Sequence, residues 1–423
     1  MKRISTAVLV AALLAGTATV IATPAIAKDK KEEPKKGPSP AFGAAVEKAK
    51  AGLAANDDAA ANAAITEVEG MAKTDQERFY AQFLRLGLVQ KQVVAASKTT
   101  NGVYDPRPMV PLLDGLLANP ATPVTQIPML AIERGRAAYG AKDWATATTM
   151  FNKARDAGST DPDLWLFIVD TRVHAGDVPG ALAEFDKQLA AGKPMTEDQY
   201  RFAAGHALTA NLKADTLKWI KLWVAAYPTA KTWHDVAQIY GLAQNALVKL
   251  DKKQSIDLYR LLRQNRALAD QNEYETYAQR VFDVGLPEET KTVIAEGKAS
   301  GKIPASSASA QSLASSAQVQ SSSDATLTGL TGKAAAAPNG ALASQTGDAY
   351  LGRGDYAKAA ELYRQALQKG GVNNDEVNTH LGIALALSGD KAGARTAFTA
   401  VTTAPRSELA GLWILWLDHP AAS

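Results

Sequence analysis

Apolar residues in the body of the chain recur at i, i+3, i+4 and i+7. Alternating apolar–polar runs bounded by turn residues are nearly absent. The stretch 356–367, YAKAAELYRQAL, is representative. Ala359, Leu362, Tyr363, Ala366 and Leu367 fall on one helical face, while Lys358, Glu361, Arg364 and Gln365 fall elsewhere. A helix of this kind has one apolar stripe and must bury it against neighbours. Short Gly, Asp, Asn or Pro punctuation separates such segments, so the pattern predicts an all-α chain of paired helices. The final segment, 406–417, puts Leu409, Leu412, Trp413, Trp416 and Leu417 on one face. It is expected to be an end cap on the preceding hairpin, or else a Trp pair presented to a partner.

The helical segments repeat. Gly347 and Gly382 stand ~35 residues apart, and Gly354/Gly389, Ala359/Ala394 and Tyr363/Phe398 keep the same spacing. Small residues mark where two helices of a hairpin approach closely. Aromatics fill the gap between hairpins, and Gly-Asp makes the turn. On these residues the chain resembles the tetratricopeptide-repeat family. Its pattern has a small residue at the eighth position, a large one at the eleventh, Ala at the twentieth, an aromatic at the twenty-fourth and Ala at the twenty-seventh. Gly347, Tyr350, Ala359, Tyr363 and Ala366 match in that order. Gly382, Leu385, Ala394 and Phe398 follow, with Val401 replacing the last Ala.

An earlier pair begins with Gly135, Ala138, Ala147, Phe151 and Ala154, and Asp143-Trp144 stands at its turn. The next unit has Trp165, Val169, Gly176-Asp177, Ala181 and Phe185. Weaker units run from Tyr200 to Pro228 and from Tyr274 through Ala278 and Gly285 to Ile294; residues 41–101 are Ala-rich and match poorly.

The resemblance implies a right-handed superhelical α-solenoid of antiparallel helix hairpins. The first helix of each hairpin would line a groove for a peptide or protein segment. The family's groove positions fall on Arg136, Tyr139, Asp170, His174 and Asp348 as polar or aromatic candidates. The basic clamp that some members use for a terminal carboxylate is missing, because Ile132, Leu166, Ser344 and Thr379 occupy its positions. Apolar groove residues such as Ile132, Leu166 and Ile383 favour a hydrophobic or helical partner, or another part of this chain.

Residues 1–27 read as a cleavable signal peptide. Lys2 and Arg3 precede an apolar stretch from Ala7 to Ala22, and Pro24-Ala25-Ile26-Ala27 supplies a small-x-small cleavage site. This points to the periplasm. No later segment is long and apolar enough to span a membrane. Residues 28–40 form a charged, Pro-containing linker with five Lys in KDKKEEPKK. The formal charge of +3 therefore comes from the N-terminal ends and leaves no basic surface for nucleic acid. Beyond the linker, 41–302 is expected as an N-terminal helical-repeat array, best defined at 128–194. Within it, Pro-rich 101–128 encloses one short helix. Residues 303–340 are Ser/Ala-rich, either weakly helical or a flexible tether, and 341–423 hold the C-terminal repeat pair with its cap.

The chain has no cysteine, which excludes disulfides, thiolate metal sites, a cysteine nucleophile and a lipoprotein anchor. Its five histidines form no HExxH, and no nucleophile elbow, phosphate-cradling loop or dinucleotide fingerprint occurs. Catalytic residues, cofactors and metals are therefore expected to be absent. His174, His206 and His234 read as surface or half-buried helix residues. The sequence points to a non-catalytic periplasmic scaffold that binds proteins or peptides of the bacterial cell envelope. A structural subunit of an exopolysaccharide or outer-membrane export machine is the second reading, and a solenoid-type polysaccharide hydrolase the third.

Overall fold

The computed structural model describes residues 39–99, 104–323 and 327–422. The expected signal peptide at 1–27 and nearly all of the 28–40 linker lie outside the described residues. Among the described residues the protein is all-α, with twenty-one α-helices and no strand. Two compact units divide the chain, Met1–Lys187 and Gln188–Ser423. The division falls inside a helix.

In the first unit, α1 (Pro40–Ala54) pairs with α2 (Asp58–Met71), followed by the long α3 (Asp75–Thr99). The Pro-rich region holds α4 (Val110–Ala118), with proline in its first turn where the missing N–H costs nothing. Then come α5 (Ile127–Gly140), α6 (Trp144–Asp156), α7 (Leu164–His174) and α8 (Val178–Ala190), whose last residues pass the division. Three cores succeed one another. Phe42, Ile65 and Leu84 centre the first, Phe83, Leu113 and Leu130 the second, and Ala147, Phe151 and Ile168 the third. Each seam is closed by the next hairpin, as in a stacked repeat array.

The second unit continues with α9 (Glu197–Thr209), α10 (Lys213–Ala226) and α11 (Ala230–Ala237), which runs into a π-helical turn at Gln238–Leu242. Next are α12 (Lys252–Gln264), α13 (Gln271–Asp283) and α14 (Pro287–Ala299). The Ser/Ala-rich stretch is helical over α15 (Ala308–Ser323) and α16 (Leu327–Ala336). Methyl groups suffice to seat these helices: Ala310, Ala317 and Ala334 are fully buried. Glu275 receives hydrogen bonds from Ser307 and Ser309, which fixes the start of α15. The C-terminal repeats follow as α17 (Ala341–Arg353), α18 (Tyr356–Lys369), α19 (Asn374–Leu387), α20 (Lys391–Thr399) and α21 (Arg406–Asp418).

The hairpin turns show why Gly-Asp recurs. Gly354, Gly389 and Gly176 adopt φ of 86°, 90° and 81°, where a Cβ is unfavourable and the preceding helix can end. The next residue caps the following helix through its carboxylate: Asp355 accepts from Lys358 N, Asp390 from Gly393 N and Asp177 from Gly180 N. One dipeptide thus stops one helix and starts another. Asp143 caps α6 in the same way.

The packing rule is equally local. A Cβ on Gly135 would lie 2.6 Å from the Phe151 ring, one on Gly347 2.8 Å from Tyr363, and one on Gly382 2.5 Å from Phe398. Each aromatic therefore rests on bare backbone. Ala154, Ala181, Ala359, Ala366 and Ala394 are all buried. Trp165 meets the Phe185 ring edge-on at 5.6 Å, and Tyr350 is buried on α17.

Helix α21 does more than cap the last hairpin. Trp413 is fully buried and stacks on Phe398 at 6.0 Å, with the half-buried Trp416 against its edge. The Trp pair is thus largely spent on packing rather than displayed. The same helix also packs on α10 and α12. Tyr240, aimed by the π-helical turn, donates its hydroxyl to Pro405 O at 2.9 Å. Trp233 Nε1 donates to His419 O at 3.1 Å, and Ala422 N to Pro228 O at 3.0 Å. A helix with apolar residues nearly all round must be covered on several sides, and this unit covers α21 with its own earlier helices.

Candidate functional site

The predicted groove residues lie in two settings, one in each unit. In the first unit, α5 and α7 carry four of them. Tyr139, in the last turn of α5, donates its hydroxyl to Asp170 Oδ2 on α7 at 2.6 Å. Burial first, and then the Asp170 charge, push the Tyr139 phenol up to about 12, so it remains a donor. His174, one turn beyond Asp170, has its Nε2 3.8 Å from the same oxygen. Its ring stacks at 4.4 Å on Trp144, whose indole also meets Tyr139 edge-on at 5.3 Å. Arg136 turns to Glu133 at 2.7 Å and to Asp161 at 3.7 Å. Burial raises the Glu133 pKa against the opposing pull of Arg136.

This face meets solvent. The His174 side chain is 49% exposed and that of Asp170 21%. Leu166, one turn before Asp170 on the same face of α7, is 38% exposed and is one of the few large apolar residues so exposed. Ile132 is half-buried. The arrangement offers an apolar residue, a carboxylate and two aromatic rings side by side. It has the means to hold a chain segment.

Asp348 belongs to a different structure. Its Oδ1 accepts from His380 Nδ1 and from Tyr363 Oη, both at 2.7 Å. His380 Nε2 lies 3.3 Å from Asp257 on α12. Asp257 is fully buried and also receives Arg260 at 3.0 Å and Arg406, from α21, at 3.0 Å. Arg260 continues in a fork onto Glu289, at 2.9 and 2.7 Å, and Tyr277 donates to the same carboxylate at 2.6 Å. Arg406 reaches Glu376 at 3.2 Å, and Glu376 pairs with Lys253 at 2.7 Å.

Four carboxylates thus face two guanidiniums, an ammonium and an imidazole. Both imidazole nitrogens point at carboxylate oxygens, so the ring bonds best when doubly protonated. Burial alone would lower the His380 pKa, but Asp257 and Asp348 outweigh it and hold it at about 9. Burial opposes ionisation of Asp257 and Glu289 too, and the neighbouring cations overcome it, leaving Asp257 well below the usual carboxylate range and Glu289 lowered.

The network covers the groove face of the C-terminal hairpins. Thr379 and Ile383, on the groove side of α19, are fully buried. A Cβ on Gly352 of α17 would stand 3.1 Å from the Glu289 side chain. Residues of α12 and α14 thus meet this face, through Asp257 and Glu289. The sequence showed Asp348 as a candidate but missed His380, Asp257, Arg260, Glu289 and Arg406. Their signal was charge inside apolar runs: Asp257 and Arg260 interrupt Ile256, Leu258 and Leu261, and His380 precedes LGIALAL.

Of the other histidines, His234 bonds Glu273 at 2.8 Å and is raised by it, against burial. Among the described residues no group of three or more His, Asp or Glu side chains is placed to hold a metal ion. No described helix is long and apolar enough to cross a membrane.

Residues 132–195 and 345–408 match a family model described as tetratricopeptide repeat. These are the α5–α8 and C-terminal hairpins, together less than a third of the chain. No curated protein matches the sequence. Among solved structures, a chain of the "Structure of Naa15/Naa10 bound to HypK-THB" is similar over 86% of this chain and 69% of its own, at 9% identity. The TM-score is 0.26, a likeness too loose to carry weight.

Proposed function

We propose that this protein is a non-catalytic scaffold of tetratricopeptide type, exported to the periplasm. It would hold a protein segment of the bacterial cell envelope on the face of α5 and α7. The observation that carries this reading is the open face of those two helices, with Leu166 and His174 exposed beside Tyr139 and Asp170. The oriented Tyr139–Asp170 pair supplies directional polar contacts and Leu166 an apolar one beside them. The compartment rests on the leader read at residues 1–27.

The reading is tested by placing a photo-crosslinking amino acid at Leu166, or at exposed Thr149 on the outer helix α6, in cells. A discrete adduct from position 166 and none from 149 is expected, with mature protein in the periplasmic fraction beginning at Lys28. Equal labelling from both positions would overturn the scaffold reading. An uncleaved N-terminus retained in the cytosol would overturn the compartment.

A further inference from the structure

We infer that the α5–α7 face reads a basic side chain flanked by an apolar one, so that the bound segment carries Lys or Arg beside Leu-like residues. This rests on the proposed groove and names the chemistry of its occupant. Arg136 is engaged by Glu133 and Asp161. Asp170 has no Lys or Arg within ion-pair distance among the described residues; its partners are the Tyr139 hydroxyl and the distant edge of His174. Both of these meet Oδ2, and Oδ1 accepts no hydrogen bond from a described group.

A carboxylate held in place by a neutral donor, with one oxygen free and part of its surface in water, suits a guanidinium or ammonium. The rings of Tyr139 and Trp144 stand nearby as apolar surface for the methylene stem of such a side chain. Leu166 supplies the apolar contact one helical turn away. An acidic segment would instead meet the carboxylates of Asp170 and Asp161. Charge complementarity therefore selects a basic–apolar segment and disfavours an acidic one.

The experiment pans a phage-displayed library of random decapeptides against the mature full-length protein at pH 7.5. Enriched peptides are then measured by fluorescence anisotropy. Enrichment of Lys or Arg next to an apolar residue is expected. Asp170→Asn keeps an acceptor for Tyr139 and should weaken such peptides roughly tenfold. Asp170→Lys should reverse the preference towards Glu-containing peptides, which a merely structural role would not do. Thermal unfolding of each variant checks that the fold survives.

Peptides that carry no basic bias, bind equally to Asp170→Asn and are lost on Leu166→Asp would overturn this inference and leave the groove reading standing. A library in which nothing is enriched over Leu166→Asp would overturn both.

Discussion

In α5 and in α17, a glycine at the same repeat position lies beneath an aromatic ring from the next helix, Phe151 in one case and Tyr363 in the other. The hairpins close alike, yet their groove faces have different fates. The face of α5 and α7 is lined by half-exposed Tyr139, Asp170 and His174 with Leu166 in water. On the face of α17 and α19, Thr379 and Ile383 are fully buried, Asp348 is bonded to His380, and His380 meets Asp257 of the unit's own α12. The repeat signature specifies how one helix seats on the next. What the groove face meets depends on residues the signature leaves free.

The largest effect should come from opening the closed face. Arg260→Leu removes the ion-pair partner of buried Glu289 and one of three cations around Asp257, which typically costs about 3–5 kcal/mol. Hydrogen exchange should show lost protection in α12, α14 and α19 and unchanged protection in α5–α7. Uniform loss over both units would break the comparison.

Next is pH. The folded pKa of His380, about 9, lies above its ordinary 6.5, so folding takes up a proton between those values. Its contribution is fully present below about pH 6.5 and is lost as pH rises through about 9, roughly 3 kcal/mol in all. Denaturant titrations from pH 6 to 10 should show the second unit weakening, and His380→Gln should flatten that slope.

Gly135→Val and Gly382→Val should each destabilise their own unit by about 1–3 kcal/mol, because both side chains collide with a ring. Ala359, buried in α18, should respond similarly to a large residue. A change confined to one glycine would show that the two closures differ after all. Smallest is Asp170→Asn, expected within about 0.5 kcal/mol in stability because the site is partly solvated.

Much of this fold was legible because it is built from short-range rules. A 3.6-residue stripe, a Gly-Asp turn and a glycine under an aromatic each need only one hairpin to operate. The Ser/Ala-rich stretch was ambiguous because small side chains give no stripe, and its helix is seated by buried methyl groups and by Glu275 from α13. The covered face of α17 and α19 was not legible, since it depends on Asp257 meeting His380 and Arg406 from far along the chain. No local spacing encodes that meeting. The partial exception is the oddity of charged residues set in apolar runs.

The absence of cysteine permits a direct test of open against covered faces. Single cysteines at Leu166 and Thr379 would be labelled with a maleimide under native conditions. Position 166 should react about as fast as in the unfolded chain. Position 379 should be slower by on the order of a thousandfold or more, reacting only when the second unit opens. Equal, fast labelling at both positions would contradict a groove face closed by its own chain.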